Sequence, residues 1–423
     1  MNKLLDYFTL HKNYLFNLGA TFFSQFANAI TLIILTPLLA KGLGLTQFGY
    51  YGVIINVIAF SVIFDFGLNI GLIRVFIHQN NRTNSLINTL FVFFILLIII
   101  FFPVFLLFYK FYFHSNNVPV LLISILTVII VIQNIFAVFF DALIQTKNKI
   151  YVSKIIRASK LILELFFIII FLKNINILKI LLIICFVNLF YLLALFLFLK
   201  KTINLQINVK EFSLITLWIH IKYSAWYFIS SVATVMVFNT QIVILNYFSG
   251  PEIAAKYLAI VRFFDIIRIA STNFTQVLFP KIIQNEVENQ WAVIKSMFLT
   301  ILKRIGLLVI VLILLLSLIG ADLFRLWMGF IDTQVISLFG LYLVFTALII
   351  IDNVSVIFLS ALKLNKAPTI ISIFQGLFGI ILSIILLKTI GFTGLVIGFL
   401  SSFVLTNLFF NPFYLLRSIN SKV

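Results

Sequence analysis

The chain has 423 residues, of which 63% are hydrophobic and 10% charged, whereas a soluble domain is about half apolar and about a quarter charged. The apolar excess runs the whole length, so no soluble domain of ordinary composition can be cut from it, and the single cysteine, Cys185, excludes an intramolecular disulfide. A formal net charge of +18 would suggest nucleic acid in a soluble protein. In a membrane protein it reads as topology, because Lys and Arg accumulate in cytoplasmic loops, and no nucleic-acid partner is expected.

A helix needs about 20 mainly apolar residues to cross a bilayer. Runs such as 85–109 and 298–319 are too long and too uniformly apolar for the alternating strands of an outer-membrane barrel. The polar opening residues and the lack of a small-residue cleavage signal predict no cleaved signal peptide. Twelve spans are predicted, at 14–40, 48–73, 86–109, 118–144, 155–172, 179–199, 223–248, 255–280, 298–320, 335–361, 369–387 and 393–416.

In chain order, the first span carries Ser24, Asn28 and Thr31 on one helical face with Gln25 beside them. The second places Ser61, Asp65 and Asn69 one turn apart, and Arg74 follows at its boundary. The third and sixth are almost uniformly apolar, as lipid-facing or packing helices are. The fifth contains Glu164, and Asp141 lies near the Lys-rich loop that precedes it. A polar connection at 200–222 follows the sixth span, with four Lys, one Glu and an amphipathic stretch, EFSLITLWIHIKY, suited to a membrane surface. The seventh span has Ser230, Thr234 and Gln241 in a stripe, with Asn239 and Thr240 nearby. The eighth reads YLAIVRFFDIIRIAS and sets Arg262, Asp265 and Arg268 three residues apart, on one broad face of a helix of about 3.6 residues per turn. The tenth holds Asp352, followed by Asn353.

With the N-terminus inside, 21 of the 30 Lys and Arg fall on the cytoplasmic side and seven outside, with Arg262 and Arg268 inside a span. That asymmetry puts both termini in the cytoplasm. The connection divides the chain into an N-terminal six-helix half at 1–199, a linker at 200–222 and a C-terminal half at 223–423. A faint repeat supports duplication. GLTQFGYYGVI at 44–54 matches GPEIAAKYLAI at 250–260, pairing Gly44 with Gly250, Tyr51 with Tyr257 and Ile54 with Ile260. Two such halves form a parallel repeat about a central cavity.

Polar groups in hydrocarbon are costly and turn toward the bundle interior. A lone Ser, Thr or Asn in a span is usually packing glue, but stripes concentrated on the leading pair of spans in each half point to a polar cavity. Gln25, Asn28, Arg74, Asn239, Gln241, Arg262 and Arg268 are its candidate ligand-binding residues. Guanidinium forks suit phosphate oxygens; the bland alternative is that Arg262, Asp265 and Arg268 lie at the outer interface and snorkel to lipid phosphate. Asp65, Asp265, Asp352 and Glu164 are the candidate ion-coupling carboxylates, since a buried carboxylate can take up and release a proton. No nucleotide-binding loop, metal-ligand set or catalytic domain is present in the pattern, so neither an enzyme nor a cofactor is expected.

The opening residues, from NYLFNLGATFFSQ to FDFGLNIGLIRVF, resemble the N-terminus of bacterial O-antigen (Wzx-type) flippases. These polysaccharide-biosynthesis transporters belong to the multidrug/oligosaccharidyl-lipid/polysaccharide superfamily. The features that carry the resemblance are the Gly42–Gly44 loop, Phe48-Gly49 and Asp65-Phe66-Gly67-Leu68, together with the six-plus-six layout and the eighth span. The resemblance implies an all-α integral membrane protein of about twelve transmembrane helices, in two six-helix bundles around a central cavity. It also implies a cargo of undecaprenyl-diphosphate-linked glycan, moved from the cytoplasmic to the periplasmic leaflet of the bacterial inner membrane by alternating access coupled to H+ or Na+. A polysaccharide polymerase and a chain-length regulator are its expected partners. A multidrug exporter of the same fold should line its cavity with acidic groups, whereas the eighth span is net basic. The peptidoglycan-precursor flippase carries additional helices, for which this chain has no room. A glycan polymerase or ligase should carry a long outer loop, whereas the longest outer loop here, about 321–334, is short.

Overall fold

The computed structural model describes residues 2–68, 83–112, 120–147, 149–203, 208–276 and 278–422, and among these it is helical, with no strand. Helix is what hydrocarbon demands, because a helix satisfies its backbone donors and acceptors internally. Helix α1 (Asn2–Ala59) holds the first span and most of the second, bent at Gly44, and a 3-10 turn (Phe60–Asp65) follows. Then come α2 (Thr83–Tyr112), α3 (Val120–Thr146), α4 (Ile150–Ile170) and α5 (Ile177–Ile203). The second part has α6 (Leu214–Phe238), α7 (Thr240–Ser249), α8 (Pro251–Gln276), a short α9 (Phe279–Val287), α10 (Trp291–Met328), α11 (Thr333–Ala361) and α12 (Lys366–Ile390). The last span is α13 (Thr393–Phe403) and α14 (Phe409–Asn420), joined by a π turn at Val404–Leu408.

Eight described segments are long and apolar enough to cross a bilayer, and one of them, Gly19–Ile63, is two crossings joined at the Gly44 bend. The apolar helix α2 adds another. Helices α4 and α8 have crossing length with more charge than a lipid-facing span carries, which brings the set to the dozen expected. Hydropathy extends the eighth span to 280, but α8 stops at Gln276 and Pro280 starts α9, since proline fits the first turn of a helix and not its interior.

The described chain forms two compact units. One comprises Met1–Leu38 with Ile54–Ser231, and the other Leu39–Val53 with Val232–Val423. In the first, α3 packs along α5, and Phe94, Phe139 and Leu143 are among its fully buried side chains. The connection at 200–222 is fastened to α2 in this unit. Asn88 donates to Glu211 Oε2 at 2.8 Å and accepts from the Asn208 amide at 3.0 Å, and the Ser213 amide donates to Thr89 Oγ1 at 3.2 Å. In the second unit, Phe263 and Phe264 of α8 meet Phe324 of α10 and Phe339 and Tyr342 of α11 in an aromatic layer.

Helices α12 and α13 approach closely through glycines. Gly394 lies against the backbone of Leu386, Gly398 against Ser383, and Gly379 against Ser402 and Phe399. Small residues let backbones approach where no hydrophobic driving force separates lipid from protein, and Ser383 Oγ donates to Leu395 O at 2.9 Å across the contact. A Cβ at position 398 would stand 2.4 Å from Ser383 Oγ. Gly398→Leu should therefore cost about 1–3 kcal/mol by overpacking, read as a lower thermal midpoint of the detergent-solubilised protein. An unchanged midpoint would refute the close packing.

Candidate functional site

The Arg262–Asp265–Arg268 triplet of α8 closes on itself. Asp265 is buried at 8% exposure; its Oδ1 accepts from Arg268 Nη2 at 2.7 Å and its Oδ2 from Arg262 Nη1 at 3.3 Å. Both oxygens are thus engaged, and the triplet keeps one net positive charge. The guanidiniums remain 26% and 35% exposed at the side chain, and each has more N–H donors than one carboxylate oxygen takes up. Arg268 also sits over the ring of Phe238 at 4.8 Å, so it is held from two sides. Arg262, with the longer contact and no described ring beneath it, is the less committed cation.

Phe238 is the last residue of α6, directly before the irregular residue Asn239 that separates α6 from α7. The break is held by side chains. Thr240 Oγ1 donates to Met236 O at 2.6 Å, Gln241 Nε2 donates to Val237 O at 2.5 Å, and Gln241 Oε1 accepts the hydroxyl of Tyr257. The ring of Tyr257, in α8, also meets that of Tyr342 of α11 edge-on, with centroids 5.7 Å apart. Gln241 is 2% exposed with both ends of its amide used inside the protein; in this structure it steadies the broken helix. Broken helices are where transporters place binding groups.

Of the sequence-predicted site residues, the second unit brings together Asn239, Gln241, Arg262, Asp265 and Arg268. Gln25 and Asn28 lie half-buried in the first unit. Glu164 is also there, one turn beyond Lys160, whose ammonium stands over the Tyr191 ring at 5.6 Å. Arg74 lies outside the described residues, as does the side chain of Asp65.

Asp352 belongs to a separate cluster of the second unit. It is 6% exposed, and Asn411 Nδ2 donates to both of its oxygens at 2.9 and 3.1 Å. One turn earlier, Asn407 Nδ2 donates to Gln375 Oε1 at 2.7 Å and Ser372 Oγ at 3.0 Å. The Oδ1 atoms of both asparagines are buried without a partner. Asn353 faces the other way, toward Thr272 and Thr275 of α8. Sequence reasoning missed Asn407 and Asn411, although their spacing inside an apolar span ahead of Pro412 was a usable signal. Proline cannot donate to the carbonyl of Leu408, and the turn before it widens to π. Among the described residues no group of three or more His, Cys, Asp or Glu is placed to hold a metal ion.

At one end of the second unit, Lys256 Nζ bonds Asp332 Oδ2 at 2.5 Å and Gln334 Oε1 at 2.7 Å. Burial alone would raise the Asp332 pKa, but hydrogen bonds from Lys256 and the Val335 amide hold it below the ordinary carboxylate range.

The fold that carries these clusters is shared with known membrane transporters. An inward-facing multidrug-resistance MATE transporter of the MOP superfamily is 12% identical over 95% of each chain, with a TM-score of 0.72. The lipid II flippase MurJ in its inward closed conformation is 18% identical over 96% of this chain and 87% of its own, at 0.71. The MATE multidrug transporter DinF-BH is 16% identical over 96% of this chain and 95% of its own, at 0.69. No curated protein sequence matches the chain. Residues 14–286 match the polysaccharide biosynthesis protein family, and the chain belongs to that family.

Two outcomes follow from the geometry. Asp265→Ala should destabilise the protein by about 3–5 kcal/mol, because it strands two facing guanidiniums, whereas Arg262→Ala leaves the shorter pair intact and should cost much less; thermal midpoints of the two purified variants test the order. The Asp332 pKa is depressed by folding, so its contribution should be complete above about pH 4, the unfolded value. That contribution should be lost as pH falls further, and acid titration of Asp332→Asn should show a smaller loss of stability than the unmodified protein.

Proposed function

We propose that this protein is a flippase that moves an undecaprenyl-diphosphate-linked oligosaccharide from the cytoplasmic to the periplasmic leaflet, for O-antigen, capsule or a related surface polysaccharide. The observation that carries the reading is the half-exposed, net positive Arg262–Asp265–Arg268 cluster in a crossing helix of a polysaccharide biosynthesis protein. A diphosphate and a sugar chain cannot enter hydrocarbon unaided, and a cation held in place by a buried carboxylate offers phosphate a donor without the cost of ordering it at binding. Arg262 is the principal phosphate ligand and Arg268 the support, because Arg268 is already committed to Asp265 and Phe238. A net positive cluster disfavours an organic cation as cargo.

Alternating access moves the cargo. Asp352 couples it to H+ or Na+, because its described partner is the neutral Asn411 and an incoming cation would supply the missing compensation. Both termini are cytoplasmic and the membrane is the bacterial inner membrane, as the Lys and Arg distribution supports. A polymerase and a chain-length regulator are the partners that the product requires.

Arg262→Ala should reduce surface-polysaccharide display in a strain lacking the chromosomal copy by at least about tenfold, the equivalent of about 1.4 kcal/mol of lost binding, with membrane protein level unchanged. Arg262→Lys should retain part of it. Full display by Arg262→Ala together with Arg268→Ala would sink the assignment. Asp352→Asn should leave lipid-linked glycan binding in place and remove the dependence of flipping on an imposed ion gradient in proteoliposomes.

A further inference from the structure

The amphipathic stretch EFSLITLWIHIKY takes no part in the clusters above. Helix α6 starts at Leu214, about three turns ahead of the crossing segment Ser224–Ser249. On those turns Leu214, Ile215 and Trp218 are 70%, 75% and 71% exposed, and Ile219 and Trp226 are exposed as well. At about 100° per residue, Leu214, Ile215, Trp218, Ile219, Lys222 and Trp226 fall within about 140° of the helix circumference. The other side is covered, with Leu217 and Ser224 buried. Apolar exposure is ordinary on a crossing segment, but this face precedes the crossing, and a contiguous apolar face of that kind marks an interaction surface.

Two tethers, both within the first compact unit, set the level of this face. At its start the Ser213 amide bonds Thr89, and Asn88 bonds both Glu211 and the Asn208 amide. Asn88 and Thr89 are the last polar residues before the apolar run from Leu90 to Phe108. They stand at the edge of the hydrocarbon, on the side that the charge count makes cytoplasmic. At the far end Phe66 lies flat on Phe228, with ring centroids 4.9 Å apart and planes at 12°, and a Cβ on Gly67 would stand 2.7 Å from the Ser224 carbonyl oxygen. Phe66 and Gly67 come just after Ile63, where the apolar segment of the second crossing ends. Both tethers therefore lie near one edge of the hydrocarbon. From Leu214 to Phe228 is about 22 Å of helix, so the start of α6 runs at a slant along that edge. The acid of this stretch, Glu211, is turned to Asn88 and Asn208. Lys210 and Lys222 are exposed, and neither makes an ion pair among the described residues.

We infer that the first three turns of α6 are a membrane-surface anchor. Leu214, Ile215, Trp218 and Ile219 sit in the boundary between acyl chains and headgroups of the cytoplasmic leaflet, and Lys210 and Lys222 meet lipid phosphates. Tryptophan favours that boundary, and amphipathic helices bury their apolar side chains about 5–10 Å into it. Helix side chains lean toward the N-terminus, so Lys222, set among apolar neighbours, reaches back along α6 toward the headgroups. The end of the connection between the two halves thus rides on the leaflet, fastened to α2 on one side and to lipid on the other. The anchor holds whatever cargo the protein carries.

The test uses the full-length protein carrying Cys185→Ser, with single nitroxide-labelled cysteines, in vesicles of phosphatidylcholine and phosphatidylglycerol. Power saturation with oxygen and with a water-soluble nickel chelate reads the depth of each label. The label of Ile215→Cys should lie about 5–10 Å below the lipid phosphates, and that of Lys210→Cys at or above them. Both positions are exposed, so neither label displaces a packed side chain. Equal, high nickel accessibility at the two positions would overturn the anchor and leave the face to a soluble partner. Spectral broadening at position 215 that dilution with unlabelled protein removes would assign the face to a second copy of this chain, and overturns it too. Adding Lys222→Glu to the Ile215→Cys protein sets a negative charge against the phosphates and should move the label toward water. An unchanged depth overturns the phosphate contact.

Discussion

Two arginines share one buried carboxylate in a helix that crosses hydrocarbon, and much of the second unit is arranged around that fact. On insertion scales each ionisable residue at the centre of a span costs about 2.5–3.5 kcal/mol, so three in one helix tax insertion heavily unless they compensate one another. Spacing at three and six residues lets Asp265 reach both neighbours on a single helix face. The remaining positive charge is met by the Phe238 ring and by what solvent the half-exposed guanidiniums reach. Around it, Tyr257, Tyr342 and Gln241 tie the break in the seventh span to α8 and α11. The irregular helix and the charge cluster are therefore one construction.

The repeat that is faint in the sequence is plain in the backbone. Gly44 and Gly250 share an unusual conformation, and Tyr51 with Tyr257 and Ile54 with Ile260 are buried in parallel. What the two stretches share is what geometry favours at these bends, namely a glycine where the chain turns with positive φ and a large buried residue two turns later. Side chains without such a constraint differ between the two stretches, and Thr46 faces Glu252 at equivalent positions.

The helical fold and the number of crossings were legible because hydropathy and length act on whole segments. Helices α4 and α8 were legible as spans despite their charge, since their apolar flanks keep crossing length. The charge triplet was legible because its members lie within one turn or two. Less visible were features made by residues far apart in sequence. Asn411 meets Asp352 from 59 positions away, and Asn88 fastens Glu211 from 123 away. Gln241 shows a further limit of local pattern. A polar residue in a polar stripe suggests a cavity ligand, and in this structure its amide bonds Val237 O and the Tyr257 hydroxyl beside the break in its own helix. Local patterns report the need for a polar group, and only the tertiary arrangement says which partner meets it.

The two buried aspartates of the second unit then separate by the company they keep. Asp265 has two cations within hydrogen-bond distance, and neutralising it would set those cations against each other. Its charge is part of the structure. Asp352 has an amide, and among the described residues no ion pair reaches it. A proton or monovalent cation arriving there strands no counter-charge, and the unpartnered oxygens of Asn407 and Asn411 lie on the same helix one turn apart. The π turn widens the backbone at that level without removing the helix. A carboxylate whose neutralisation strands no opposite charge is suited to cycle, and one whose neutralisation would break a charged triplet is suited to stay. On the proposed function, that division would place the permanent cationic surface on α8 and the exchangeable charge on α11, on different helices of one unit.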